Sequence, residues 1–299
     1  MFKRGIKKLV DLAGYTLTPK RATIDIPLYE ALYGKESVTK RRFYNIAAGG
    51  HLAFGGELNH PCWTNVDLDK PWPGAREFTP DVDIAHDLFS LQPLPIESGS
   101  AELVFSRFAV EHVTDEAAQV LFDEAFRILK KGGLLRITVP NTESDYRAYL
   151  ARDLSYFSWR ETFSIKAIQD HLRYKIPLNQ ASIHQVFLAH FATNASTIHG
   201  DGASNPISDE ELQSVVESMP FADAMNYCTS RCSVEKQRLY PQNHINWWSY
   251  NKFDRMLRTS GFRNVYVVGH HQSVSPVFRL RGFDDMWSEV AMHVEAARE

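Results

Sequence analysis

The stretch from Thr114 to Pro140, TDEAAQVLFDEAFRILKKGGLLRITVP, decides the fold. Thr114 is placed to N-cap a helix, and Asp115 and Glu116 suit the positive end of its dipole. Ala117, Ala118, Leu121, Phe122, Ala125, Ile128 and Leu129 recur at the 3.6-residue period. Lys130 and Lys131 then fall in the last turn, and Gly132-Gly133 supply a left-handed exit. Leu134-Leu135-Arg136-Ile137-Thr138-Val139 follows as a strand, stopped by Pro140. A capped amphipathic helix leading through a glycine turn into an apolar strand is the repeating half of a parallel α/β sheet.

Upstream, the same alternation continues. Phe43-Tyr44-Asn45-Ile46-Ala47 reads as a short buried strand entering Gly49-Gly50, and Trp63-Thr64-Asn65-Val66-Asp67 as a second strand ending on an acid. Asp83-Ile84-Ala85-His86 is a weaker third before Asp87, and Leu103-Val104-Phe105-Ser106 a fourth. Downstream the pattern breaks. Residues 142–243 are rich in aromatics and histidine, with helix-like stretches and no convincing strand. Near the end it resumes: Ser249 caps a helix carrying Phe253, Met256 and Leu257 and closed by Gly261. Phe262 to Val268 and Glu289 to Glu295 then read as strands.

The expected architecture is α/β, a seven-stranded Rossmann-like sheet with a helical insertion after strand five. The expected organisation is an N-terminal helical extension (1–40), a ligand-binding core (41–141), a helical lid (142–243), and a C-terminal helix with strands six and seven (244–299). A hundred-residue insertion without structure would be unusual, so this one is expected to fold and to cover something.

Composition narrows the function. With 299 residues, 44% hydrophobic and 23% charged, the chain can bury a core. Thirty-three Lys+Arg against 36 Asp+Glu leave a net charge of −3, which disfavours a nucleic-acid partner held by bulk charge. Three cysteines, Cys62, Cys228 and Cys232, are too few for a disulfide scaffold and fit a reducing cytoplasm. No apolar run approaches the roughly 18 residues of a transmembrane helix. Phe2, Ile6, Leu9, Val10 and Ala13 form the apolar face of a basic helix without the features of a signal peptide; packing on its own domain is its ordinary role.

In an open parallel sheet, ligands bind at the carboxyl ends of the strands near the switch point. Those ends carry Ala47-Ala48-Gly49-Gly50, Asp67, Asp87 and Ser106-Arg107. Asp67 lies about 20 residues past the glycine turn, the distance at which an acid can accept both ribose hydroxyls. The turn is not G-x-G-x-x-G, and no G-x-x-x-x-G-K-[ST] loop is present, so a pyrophosphate cradle is missing. A ribose acid without an anion cradle favours S-adenosylmethionine.

At this point the chain resembles the class I S-adenosylmethionine-dependent methyltransferases over about half its length. The matching blocks are Asn45-Ile46-Ala47-Ala48-Gly49, Trp63-x-Asn65-Val66-Asp67, Asp87 before Leu94-Pro95, and Ser100 to Ser106 followed by Glu111-His112. The most specific is Glu124-x-x-Arg127-Ile128-Leu129-Lys130-Lys131-Gly132-Gly133-Leu134 with Val139-Pro140-Asn141, and Trp248-Ser249 … Leu257-x-x-x-Gly261-Phe262 resembles the sixth-strand unit. The first two blocks also resemble a bacterial, poorly characterised subset, some members of which belong to pathways building surface glycans. The sequence departs from the family at Asn45, where an acid is usual, and at Ala47, where glycine is usual.

The resemblance implies S-adenosylmethionine as cofactor, bound by Asn45, Ala47, Gly49 and Gly50 along the methionine, Asp67 and Leu68 at the ribose, Asp87 and Leu88 at the adenine, and Ser106 and Arg107 beside the fourth strand. Arg107 would meet the cofactor carboxylate or an acidic group of the substrate; a surface salt bridge is its plainer role. The implied activity is methylation of a hydroxyl, or an amine, on a polar small molecule or glycan. His112 would serve as a base or position the acceptor, although capping or packing on the next helix explains it equally well. A catalytically silent scaffold with the same fold is the competing reading.

No metal site is expected from spacing. His184 and His190 lie off one helical face, and Cys228-x3-Cys232 could share a helix face but has no second pair. Only residues distant in sequence could assemble one. The aromatics Tyr146, Tyr149, Tyr156, Phe157, Trp159, Trp247 and Trp248 could wall a substrate site, with burial as their default role.

Overall fold

The computed structural model describes residues 25–47, 60–69, 82–157, 175–177, 180–199, 205–241, 243–280, 283 and 287–299. The helix expected at Phe2 to Ala13, and Gly49, Gly50, Trp159 and His171, lie outside them. The strands are Phe43–Ile46 (β1), Trp63–Asp67 (β2), Ile84–Ala85 (β3), Ala101–Arg107 (β4), Leu129–Pro140 (β5), Asn264–Val268 (β6) and Ala291–Ala297 (β7). They form one seven-stranded sheet in the order β3-β2-β1-β4-β5-β7-β6. β1 to β5 are mutually parallel, and β7 runs antiparallel between β5 and β6. This is the α/β, Rossmann-like seven-stranded sheet that the sequence implies, with its switch point between β1 and β4.

The helices are Ile26–Thr39 (α1), Asp115–Ile128 (α2), Thr142–Leu150 (α3), Leu154–Phe157 (α4), Ile183–Phe191 (α5), Asp209–Ser218 (α6), Phe221–Thr229 (α7), Val234–Leu239 (α8) and Tyr250–Thr259 (α9). Thr114 caps α2 by accepting from the Ala117 amide at 3.3 Å, a contact worth about 1 kcal/mol. Ala117, Leu121, Phe122, Ala125 and Ile128 of α2 bury against the sheet in the main core. Ser249 caps α9 in the same way, accepting from the Lys252 amide.

The end of α2 differs from the expectation. Lys130 and Lys131 are not in its last turn. The helix stops at Ile128, and Leu129 pairs with Ala101 across an irregularity at the start of β5. Leu129 is fully buried there, so pairing and burial take it into the strand; Lys130 pairs with Glu102. Gly132 keeps its left-handed backbone, φ 79°, but as a bend in the strand's path, where its amide donates to the Arg298 carbonyl. The other edges shift less: β1 ends at Ile46, β6 starts at Asn264 and β7 is displaced two residues along, which keeps the same faces inward.

Glu124 and Arg127 explain the most specific of the resembling blocks. Glu124 Oε2 accepts from the Leu94 amide at 2.7 Å, and the Arg127 guanidinium donates to the carbonyls of Leu94 and Ile96, both at 2.9 Å. The pair fastens the loop that delivers β4, so its work is structural.

Between β5 and α9 the described residues are helical and build a second apolar cluster. Ala148, Tyr149, Phe157, Phe187, Leu188, Phe191, Leu212 and Met225 are buried in it. A third cluster lies beneath α1, where Tyr29, Phe43, Trp63, Phe105 and Phe278 pack together. Across β5 and β7, Arg136 and Glu295 form a fully buried ion pair at 2.5 Å. No helix among the described residues is long and apolar enough to cross a membrane.

Candidate functional site

The carboxyl ends of β1 to β4 gather most of the residues singled out from sequence. Leaving β1, Ala47 has a left-handed backbone, φ 53°, anchored by its amide to the Val66 carbonyl at 2.8 Å. That conformation costs a residue with a Cβ about 1–2 kcal/mol. Asn45, in the position of the family's acid, is buried and donates to the Asn65 side chain of β2 at 3.1 Å. Its amide is therefore committed to the neighbouring strand.

Asp67 ends β2, half-buried, with Oδ1 accepting from the Leu68 amide at 2.7 Å; Leu68 itself is exposed. Asp87 follows β3 and caps the short 3-10 turn Leu88–Ser90, accepting from the Phe89 amide at 2.9 Å. Its other oxygen pairs with Arg238 of α8 at 3.0 Å, and the same guanidinium lies over the Phe89 ring. The helical region thus reaches across to this corner. Leu88 packs on the main core. At the end of β4, Ser106 is buried with no partner for its hydroxyl among the described residues, and Arg107 is buried as well.

One step beyond β4, the 3-10 turn Val110–His112 carries a denser polar cluster. The chain returning from the helical region is stitched to it: the amides of Ile245 and Asn246 both donate to the Glu111 carbonyl at 3.0 Å. The same return sets the Asn243 carbonyl 3.1 Å from His112 Nδ1 and the His244 ring 4.9 Å from the His112 ring. His112 Nε2 lies 3.9 Å from Glu111 Oε1.

Burial dominates the electrostatics. It pushes the Glu111 carboxyl up to about 8 and holds the His112 imidazole down at about 4. His244 is held well below its ordinary value, first by burial and then by His112, His199 and His190 around it. His112 is therefore neutral at pH 7. With its Nδ1–H given to the Asn243 carbonyl, Nε2 presents a lone pair. Glu111 Oε2 and His244 Nδ1 are buried without hydrogen-bond partners among the described residues. Chemically, such a cluster can take up a proton or a cation.

The other sequence candidates separate. His184 Nδ1 lies 3.0 Å from the Tyr149 hydroxyl, and His190 Nδ1 lies 3.7 Å from Asp145; both stand on α5 with different neighbours. Cys232 lies beyond the end of α7, so it does not share a helix face with Cys228; the thiols of both are buried and pushed up, to about 11 and about 12. Tyr146, Tyr149, Tyr156 and Phe157 pack with Trp247 in the second cluster, and Trp248 belongs to the main core.

Sequence reading missed Glu111 as more than part of a resembling block, counted His244 among the histidines without giving it a partner, and missed Asn243 and Arg238. The adjacent Glu111-His112 pair was a usable signal. Nothing local pointed to Asn243, which is 131 residues from His112 in sequence.

Residues 63–137, about a quarter of the chain, match the family model described as a methyltransferase domain. The match begins at Trp63, after the loop in which Asn45 and Ala47 depart from the family pattern. No curated protein matches the sequence. Similar solved structures include a chain from the complex of the Haloferax volcanii Trm112 methyltransferase activator with a methyltransferase, at 12% identity over 93% of each chain and TM-score 0.37. A Thermotoga maritima S-adenosylmethionine-dependent methyltransferase is 12% identical over 93% of this chain and 97% of that one, TM-score 0.38. Human N-acetylserotonin methyltransferase in complex with S-adenosylmethionine is 12% identical over 93% of this chain and 55% of that one, TM-score 0.36. This chain thus spans about half of the human one.

Proposed function

We propose that this chain, whose residues 63–137 match a methyltransferase domain, is an S-adenosylmethionine-dependent methyltransferase that methylates a hydroxyl, and less readily an amine, on a polar small molecule or sugar. Two observations fit the cofactor to this chain: a carboxylate at the tip of β2, and a buried, unpartnered Ser106 hydroxyl at the end of β4. Asp67 with Leu68 would hold the ribose, Asp87 with Leu88 the adenine, and Asn45, Ala47, Gly49, Gly50, Ser106 and Arg107 the methionine side. When bound, S-adenosylmethionine supplies the methyl group as a sulfonium. What falls to the chain is to hold the acceptor in line at near-attack distance.

The observation that carries the acceptor assignment is the cluster after β4, where neutral His112 meets Glu111 and His244 beneath the helical region. His112 is the residue set against the acceptor's nucleophilic atom, and residues 142–243 act as the lid over it. A reducing cytoplasm suits three free cysteines. The resemblance to a bacterial subset, together with a polar cluster at the acceptor side, supports a glycan or small polar acceptor over nucleic acid. The test is transfer of radiolabelled methyl groups to a panel of hydroxylated small molecules and nucleotide sugars; label appearing only on nucleic acid would overturn the assignment.

One observation favours a second reading, a silent scaffold: Ala47 holds a left-handed turn beside the cofactor where the family has glycine. Equilibrium titration decides between them. S-adenosylmethionine binding tighter than millimolar supports the enzyme, and weaker binding supports the scaffold.

A further inference from the structure

Glu111, His112 and His244 each offer one ligand atom, and these atoms lie within 4.8 Å of one another. Three features make the group unusual. Glu111 is 2% exposed, yet its Oε2 has no hydrogen-bond partner among the described residues. The His112 Nδ1–H is already committed to the Asn243 carbonyl, so its Nε2 lone pair is turned toward Glu111 Oε1 across 3.9 Å. The His244 ring is hydrogen-bonded to the His190 carbonyl, while its Nδ1 has no partner.

The Glu111 carboxyl and two imidazole lone pairs therefore converge on one point. A proton on Glu111 Oε1 would not be shared with His112 Nε2, because 3.9 Å is too long for a hydrogen bond. A cation resolves all three at once. Water could bridge one pair, but it would still leave acceptor atoms facing one another.

We propose that Glu111, His112 and His244 bind a divalent first-row transition metal ion, zinc suiting their chemistry best. Two imidazoles and a carboxylate make a three-ligand set that leaves a fourth position open, the arrangement of a catalytic zinc centre. The Asn243 and His190 carbonyls supply the outer hydrogen bonds that fix ligand tautomers. With metal–ligand bonds near 2.0–2.1 Å, tetrahedral ligand atoms sit about 3.4 Å apart, so the group closes by about 1 Å on loading. With the ion loaded, His112 would act on the acceptor through it and not directly: a hydroxyl entering the open position would have its acidity raised by the ion. That last role rests on the methylation reading above; the binding of the ion does not.

The experiment uses the whole chain, stripped with a chelator and titrated with Zn2+ by calorimetry and with Co2+ by visible absorption. Wild type should take up one equivalent at micromolar or tighter Kd, with cobalt bands of a low-coordinate nitrogen–oxygen site. Glu111→Gln and His244→Asn should each lose 100-fold or more, while His270→Ala/His271→Ala, in the turn after β6 and outside the cluster, should bind as wild type. Thermal midpoint and S-adenosylmethionine affinity report whether each variant is folded. If Glu111→Gln does not fold, His244→Asn on the partly open side carries the comparison. Failure of wild type to bind either ion below the millimolar range overturns the proposal, as does equal binding by folded variants. Zinc bound here without any methyl transfer would leave the ion site standing and overturn the methylation reading. Methyl transfer by a chain that binds no ion would do the reverse.

Discussion

Asp67 and Asp87, at the tips of β2 and β3, each accept from a backbone amide one or two residues along, whereas Glu111, past the tip of β4, has a buried carboxylate oxygen with no partner. The first two are satisfied by their own loops before any ligand arrives. Glu111 is met locally by its own backbone amide and, at 3.9 Å, by His112, and its other neighbours come from a segment that returns only after the whole helical region. The tip of β2 is thus met by a short-range turn, the tip of β3 by a short-range turn together with Arg238 of α8, and the turn after β4 by long-range closure. A cofactor shared by many proteins can be held by short-range turns, while an acceptor particular to one of them is met by the closure.

The largest expected effect tests whether these two sides are separable. His112→Ala should lower kcat about 10²- to 10⁴-fold while changing the Kd for S-adenosylmethionine by less than about threefold. A parallel loss of cofactor affinity would show that the sides are one site. Asp67→Ala is the mirror experiment, weakening cofactor binding by about 1–3 kcal/mol and leaving the metal titration unchanged; unaltered calorimetric affinity would remove Asp67 from the cofactor side.

A smaller effect compares the helical region with the sheet. Burial pushes Cys228 to about 12 and Cys62 and Cys232 to about 11, against an ordinary 9.0. Raised thiols favour the folded state below pH 9, and that contribution is lost as pH rises through 11 to 12, since only the unfolded chain ionises first. Denaturant midpoints should therefore fall steadily above pH 9, and Cys228→Ala should flatten that slope. Labelling at pH 8 adds a finer test. If the region between β5 and α9 opens as a lid, Cys228 and Cys232 should react faster than Cys62; equal rates would mean the two cores open together.

The smallest effect lies at the turn out of β1. Ala47→Gly should stabilise by about 0.5–1 kcal/mol in thermal unfolding, since glycine bears the left-handed backbone without a Cβ penalty while the unfolded chain gains some freedom. A loss of stability would show that the methyl group packs usefully.

Much of the frame was legible because its signals are local. β2 begins and ends where alternation and the terminal acid put it, and α2 and α9 start at the hydroxyls named as caps. The end of α2 was not legible. Helical periodicity ran on through Leu129 and Lys130, and only pairing with Ala101 in the sheet drew them into β5. The carboxylates at the strand tips were readable from spacing, whereas Arg238 on Asp87 was not, being 151 residues away.

By itself the sequence determined the α/β alternation, the caps, the sheet's parallel half and the acids at its carboxyl edge, because periodicity and end-capping are settled within a few residues of chain. Only the tertiary structure decided that His244 and Asn243 meet Glu111 and His112, and that Arg238 meets Asp87. Those contacts depend on where a folded helical region returns its chain, and no local propensity encodes that distance.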